Sequence, residues 1–345
     1  MTALTNDAPP SALAGGLGLA MASAASFGLS GSLARGLMDT GWTAGAATLA
    51  RVVIASAVLL VPGILAMRGR WGALRTAWRT VAAYGLFAVA GAQLFYFLAV
   101  GHLDVGIALL IEYTAPIAVV LFLWVRKGHK PGPLTAVGAV IAALGMVLLL
   151  NVVGGGSVSL VGVGWALAAM VGASVYFVVS SDTSTGLPPI ALATGGLLVA
   201  AAALGLAAIA GVLPVRFAAE TVQLVPFDAP WWVVVALLGA VSASLAYVTG
   251  IAGTRMLGAR LASFVALMEV VAATGFAWFL LAQTPLPIQW AGAGLVLTGV
   301  VVVKLGERAP IMDTAVPGIG APARPQRRRR VFPMERRAKV PAKTS

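Results

Sequence analysis

The 345-residue chain is 60% hydrophobic and 10% charged, with a net charge of +12, 41 glycines and no cysteine. A soluble domain carries about 25% charged residues, so the composition excludes an ordinary water-soluble fold. The missing cysteines exclude disulfides, thiolate metal sites and cysteine nucleophiles.

Residues 1–11 are polar, with two prolines and no basic stretch before the first apolar run, so no cleavable signal peptide is expected. Ten hydrophobic segments follow, at 12–33, 43–67, 80–100, 105–125, 132–151, 160–181, 188–212, 231–253, 259–281 and 287–305. Each approaches the roughly 20 apolar residues that a bilayer crossing needs. Placing both ends in the cytoplasm puts Arg68, Arg70, Arg75, Arg79, Arg126, Lys127, Lys130, Arg255 and the basic tail inside. Only Arg35 and Arg216 then lie outside, as the positive-inside rule requires.

The tail, 306–345, holds nine of the 23 Lys and Arg between Arg324 and Lys343, including the run Arg327–Arg330. It reads as a disordered topology anchor, with anionic lipid as a further partner at about 1 kcal/mol per basic residue. Nucleic acid is not an expected partner.

A shift of 154 residues superposes Gly85 on Gly239, Phe122 on Phe276, Trp124 on Trp278, Gly138 on Gly292 and Gly145 on Gly299. This predicts an all-α polytopic membrane protein of ten helices in two five-helix repeats, 12–151 and 160–305. A repeat with an odd number of crossings must run through the membrane in opposite directions, an architecture for alternating access around a midplane site.

No catalytic constellation emerges. His102 and His129 fall in loops at opposite faces, no HExxH or other metal-spaced cluster exists, and Gly154–Gly156 lacks a phosphate-loop ending. The expectation is no enzyme, no cofactor and no metal.

The polar residues inside the apolar runs are therefore the candidates: Arg51, Gln93, Glu112 and Glu269. A charge at the centre of a membrane helix costs roughly 2.5–3.5 kcal/mol on insertion scales and usually faces a cavity or a partner. At a rise of about 1.5 Å per residue, Arg51 lies roughly 12 Å and Glu112 roughly 10 Å below the outer face, and Glu269 roughly 15 Å from the inner one. Arg51 and Glu112 are expected to face one cavity, paired directly or through substrate; the competing reading is a salt bridge that only fixes packing. Glu269 or Glu112 is a candidate for proton coupling, since buried carboxylates titrate upward. Pro116, one turn after Glu112, frees a carbonyl and joins the coupling and gating candidates. Tyr96, Tyr113, Tyr176 and Trp278 offer aromatic faces to an ammonium group.

Three stretches carry a family resemblance: LARVVIA around Arg51, VGIALLIEYTAPIAV around Glu112, and TRMLGARLASFVALMEV running into Glu269. With the ten segments and the repeat, the chain resembles the EamA branch of the drug/metabolite transporter superfamily, closest to its threonine/homoserine exporter subgroup. The resemblance implies a bacterial cytoplasmic-membrane carrier, monomeric or homodimeric, exporting amino acids or similar small polar metabolites. Within transport the alternative is another metabolite or a drug. A different class would be a scaffold or sensor acting through the basic tail. Val270 stands where the family usually has a proline after the second glutamate.

Overall fold

The computed structural model describes residues 10–114, 132–149 and 159–306. Pro116, Phe122, Trp124, the basic loop after segment four, Gly154–Gly156 and the tail lie outside the described residues. The chain opens with α1 (Pro10–Asp39) and α2 (Ala44–Ala66). Helix α1 outlasts its apolar run, and in its last turns Arg35 Nε and Asp39 Oδ1, one turn apart, pair at 2.9 Å. Thr43 caps α2 by accepting the Ala46 N–H, satisfying one of the donors that every helix start leaves open.

A short α3 (Trp71–Thr76) leads into α4 (Trp78–Val100), which loosens into π-helical turns over Tyr84–Gly91. Helix α5 (Val105–Glu112) follows a four-residue turn. Then come α6 (Pro133–Leu149), α7 (Leu160–Ser181) and α8 (Pro189–Ile209). An antiparallel hairpin, β1 (Val222–Leu224) and β2 (Phe227–Ala229), packs on the end of α1 near Gly36. Helix α9 spans 231–265 with a π-helical stretch at Ala240–Leu245, and α10 (Met268–Leu281) and α11 (Pro287–Gly306) complete the bundle.

Six of these helices are long and apolar enough to cross a membrane, and α6, α10 and α11 are shorter apolar helices. Large apolar side chains point outward, among them Val61, Val178, Leu206 and Phe279, each more than 60% exposed. Such a surface is tolerated only where lipid or a partner covers it.

The expected break between segments eight and nine, at 254–258, falls inside continuous helix. The turn comes instead at Ala266–Leu267. A single glycine, Gly258, costs a helix only about 1 kcal/mol, which packing of α9 against α1 outweighs.

The 154-residue shift reappears in the backbone. It carries Tyr84–Gly91 onto 238–245, which encloses the second π-helical stretch, Ala240–Leu245. It also carries Glu112, the last residue of α5, onto Ala266, the first residue after α9. The glycines of the shift make the closest helix approach. A Cβ on Gly138 would lie 2.6 Å from Val303 N and 2.8 Å from Gly299 O, and one on Gly145 2.6 Å from Val296 N and 2.8 Å from Gly292 O. Helices α6 and α11 thus touch backbone to backbone, the contact that small residues permit in membranes. Gln283 follows Ala282, whose left-handed φ of 54° ends α10, and its Oε1 accepts the Val105 N–H at 3.2 Å. It thereby caps α5.

Candidate functional site

Helix α2 carries Arg51 into the bundle, where the side chain is wholly buried. Nη1 donates to Ser30 Oγ of α1 at 2.9 Å and to Gln93 Oε1 of α4, while Nη2 donates to the main-chain oxygen of Ser242 in the π-helical stretch of α9. The rings of Phe27 and Phe97 lie 5.9 and 5.6 Å from the guanidinium carbon. Gly239 makes this approach feasible, since a Cβ there would strike Ile54 at 2.5 Å and lie 3.2 Å from Arg51 O. Arg51 therefore ties α1, α2, α4 and α9 at one point. Glu112 is not its direct partner: the one ion pair among the described residues is Arg35–Asp39.

Glu112 ends α5, is 8% exposed, and has no hydrogen-bond or ion partner among the described residues. A helix C-terminus carries about half a negative charge from its unpaired carbonyls. Glu112 adds a carboxylate to that pole. Glu269 occupies the opposite kind of position, the first turn of α10, and its Oε2 accepts from Tyr113 Oη at 2.7 Å.

Both carboxylates open on one cavity of about 610 Å³, mouth included, to which α1, α4, α5, α7, α9 and α10 contribute. Its aromatic wall comprises Phe27, Tyr113, Tyr176, Phe177 and Tyr247. Phe27 meets Tyr247 edge-on at 5.0 Å and Tyr176 at 6.2 Å, the geometry that aromatic quadrupoles favour. Gln93 also lines the cavity, so Arg51 reaches it through the Gln93 amide. Because Gln93 Oε1 accepts from Arg51, its NH₂ group is the donor end, turned toward the Tyr247 hydroxyl in the cavity wall.

The structure thus gathers Gln93, Glu112, Tyr113 and Glu269 at one cavity, with Arg51 directly behind. Two other candidates stand apart. Tyr96 is buried beside Phe97 and Gly31 without lining the cavity. Trp278 is 61% exposed and lines a separate apolar hollow with Thr274 and Trp290. Pro116 lies outside the described residues. Sequence reasoning missed Phe27, Ser30, Ser242 and Tyr247. A signal existed for two of them, because Ser23, Phe27 and Ser30 recur at i, i+4 and i+7 and so share one helix face.

The EamA-like transporter family model matches residues 14–151 and again 160–305. The chain belongs to the EamA-like transporter family. As an EamA-like protein of the drug/metabolite transporter superfamily, it is a multi-pass membrane transporter carrying that domain twice. No curated protein matches the chain. A solved structure titled only "Crystal structure of protein" is 24% identical, with a TM-score of 0.56, covering 84% of this chain and 96% of its own. That likeness speaks to the fold alone.

Proposed function

We propose that this EamA-like protein exports small ammonium-bearing metabolites, amino acids foremost, across the bacterial cytoplasmic membrane by alternating access. One observation carries the reading: the end of α5 at Glu112 and the turn after α9 at Ala266, related by the 154-residue shift, open on the same aromatic-walled cavity. Interrupted helices at equivalent places in two repeats are how transporters build a midplane site. The glycine contacts support inverted repeats of five helices each. The shift turns the contact Gly138–Gly299 into Gly292–Gly145, which is also present, as a twofold axis requires.

In this reading Glu112, unpaired at the negative pole of α5, receives the ammonium group, and the faces of Phe27, Tyr176 and Tyr247 surround it. A desolvated cation–π contact is worth about 2 kcal/mol. Gln93, oriented by Arg51, donates its amide hydrogens to the substrate's polar end. Glu269, with Tyr113, couples movement to a proton, and Pro116 serves gating. Both termini face the cytoplasm, and the basic tail meets anionic lipid.

A thermal-shift screen of amino acids on purified protein, repeated with Glu112→Gln, tests the assignment. A stabilising amino acid whose effect disappears in the variant supports it. If no amino acid stabilises the protein, the substrate belongs to another metabolite class.

A further inference from the structure

The cavity reaches toward the N-terminal half of α1, where Ala20, Ser23, Ala24 and Phe27 line it. The other end of the bundle is packed shut: Leu37, Val100, Val105 and Val222 are fully buried in one apolar cluster. Val222 belongs to the hairpin β1–β2, which buries Leu224 and Ala229 as well. A two-stranded hairpin is barely stable alone, so its position is set by what it is tied to. In the first matched domain the equivalent connection, between α2 and α4, holds α3 instead, and α3 buries none of its residues.

The ties of the hairpin are unequal. The chain leading into it is bonded to the corner between α1 and α2. Trp42 Nε1 donates to Ala218 O at 2.7 Å, Thr43 N–H to Arg216 O at 3.2 Å and Thr43 Oγ1 to Pro214 O at 2.8 Å. Thr43 Oγ1 also accepts the Arg216 N–H at 3.1 Å, and Trp42 meets Phe217 edge-on at 5.0 Å. A Cβ on Gly36 would lie 2.9 Å from Val222, so α1 itself touches β1. Toward α10 there is one hydrogen bond among the described residues, from the Val225 N–H at the hairpin tip to Leu280 O at 2.9 Å.

Leu280 O is one of the last four carbonyls of α10, which the helix itself leaves open. The Val225 side chain is 66% exposed, so the tip holds α10 by its main chain. A single hydrogen bond shifts an equilibrium by roughly two- to tenfold, against several on the other side. We infer that the hairpin is a strap over this end of the molecule, fastened to the α1–α2 corner and latched to α10 by the Val225 N–H. Opening of this end releases Leu280 and carries the hairpin away with α1 and α2. That the opening serves transport rests on the alternating-access reading; the latch itself does not.

The chain has no cysteine, so a single Val105→Cys thiol, buried in the cluster that the strap covers, reports opening. Its rate of reaction with a charged thiosulfonate is measured on the full chain in detergent. Val225→Pro removes the latch donor and should speed labelling roughly two- to tenfold, whereas Val225→Ala keeps the N–H and should label at the parent rate. Trp42→Phe removes one donor on the α1–α2 side, keeps a ring, and should leave the rate unchanged. Ala200→Cys, buried in the separate cluster around α8, should not respond to Val225→Pro. No acceleration in Val225→Pro, equal acceleration of the two thiols, or a faster rate in Trp42→Phe than in Val225→Pro overturns the latch. Should Val225→Pro fail to fold, a disulfide between Val225→Cys and Leu280→Cys tests the same contact. Oxidised, it should halt counterflow of a radiolabelled amino-acid mixture in proteoliposomes, and reduction should restore it; counterflow through the oxidised pair overturns the strap. Faster labelling in Val225→Pro with no counterflow in wild type keeps the latch and removes the transport reading; counterflow without faster labelling does the reverse.

Discussion

Tyr113 Oη donates to Glu269 Oε2 at 2.7 Å, joining the residue just past the end of α5 to the first turn of α10. These residues are 156 positions apart in sequence, and they close one side of a cavity shared by both matched domains. The bond lies where the end of α5 meets the start of α10, so disturbing it should change movement of the halves more than their folding.

Glu269→Gln preserves an oxygen that can accept from Tyr113 but removes the titratable proton. The expected outcome is near-normal thermal stability with transport that no longer responds to a pH gradient. Measuring flux into proteoliposomes with and without an imposed gradient checks this. Unchanged gradient dependence would assign the coupling elsewhere.

Arg51 is expected to be structurally exacting. A methionine there leaves Ser242 O, Ser30 and the Gln93 carboxamide without their donor, and each orphaned buried group costs about 1–3 kcal/mol. Arg51→Lys should recover only part of the loss, because an ammonium cannot reproduce the planar fork that serves acceptors on α1, α4 and α9. Unfolding temperatures in detergent should rank wild type above Arg51→Lys above Arg51→Met.

The contact between α6 and α11 predicts a sharp contrast between two glycines of one helix. Gly292→Ala places a methyl against the backbone of α6 near Gly145 O, and overpacking of this kind costs about 1–3 kcal/mol. Gly294→Ala meets nothing within 4 Å and should be neutral or slightly stabilising, as alanine favours helix. Paired thermal melts of the two variants test whether the backbone contact is as close as described.

Asp182 supplies a pH signature outside the spans. Hydrogen bonds from the Ser184 side chain and backbone hold its carboxyl below the usual 3.8. A depressed folded value means a contribution to stability that is present above the unfolded value and lost as pH falls through the folded one. Asp182→Asn should therefore flatten the acid side of the stability profile of the α7–α8 connection, read by limited proteolysis of 182–188 across acidic pH.

How far the sequence foretold this arrangement depends on the energetic cost of each feature. Glu112 and Glu269 stood out because a carboxylate in an apolar run is expensive wherever it points, and both reach the cavity. Gly138, Gly145, Gly292 and Gly299 announced the repeat because only a missing side chain allows two backbones to touch. Phe27 and Tyr247 were silent, since an aromatic ring costs a membrane helix little whether it faces lipid, a neighbour or a cavity. The hidden partner of Arg51, Ser242, acts through its main-chain oxygen, which no side-chain identity reports. The turn at Ala266–Leu267 was equally unreadable: neither residue is a helix breaker, and the break reflects tertiary packing around the cavity. Trp278 was unreadable too, since an aromatic face suits a membrane surface as well as a cavity, and here it is exposed beside a separate apolar hollow.

Counterflow of a radiolabelled amino acid in proteoliposomes, comparing wild type with Glu112→Gln, tests the central claim most directly. The account predicts saturable counterflow in wild type and its loss in Glu112→Gln, with both proteins equally folded. Counterflow in Glu112→Gln indistinguishable from wild type would contradict it.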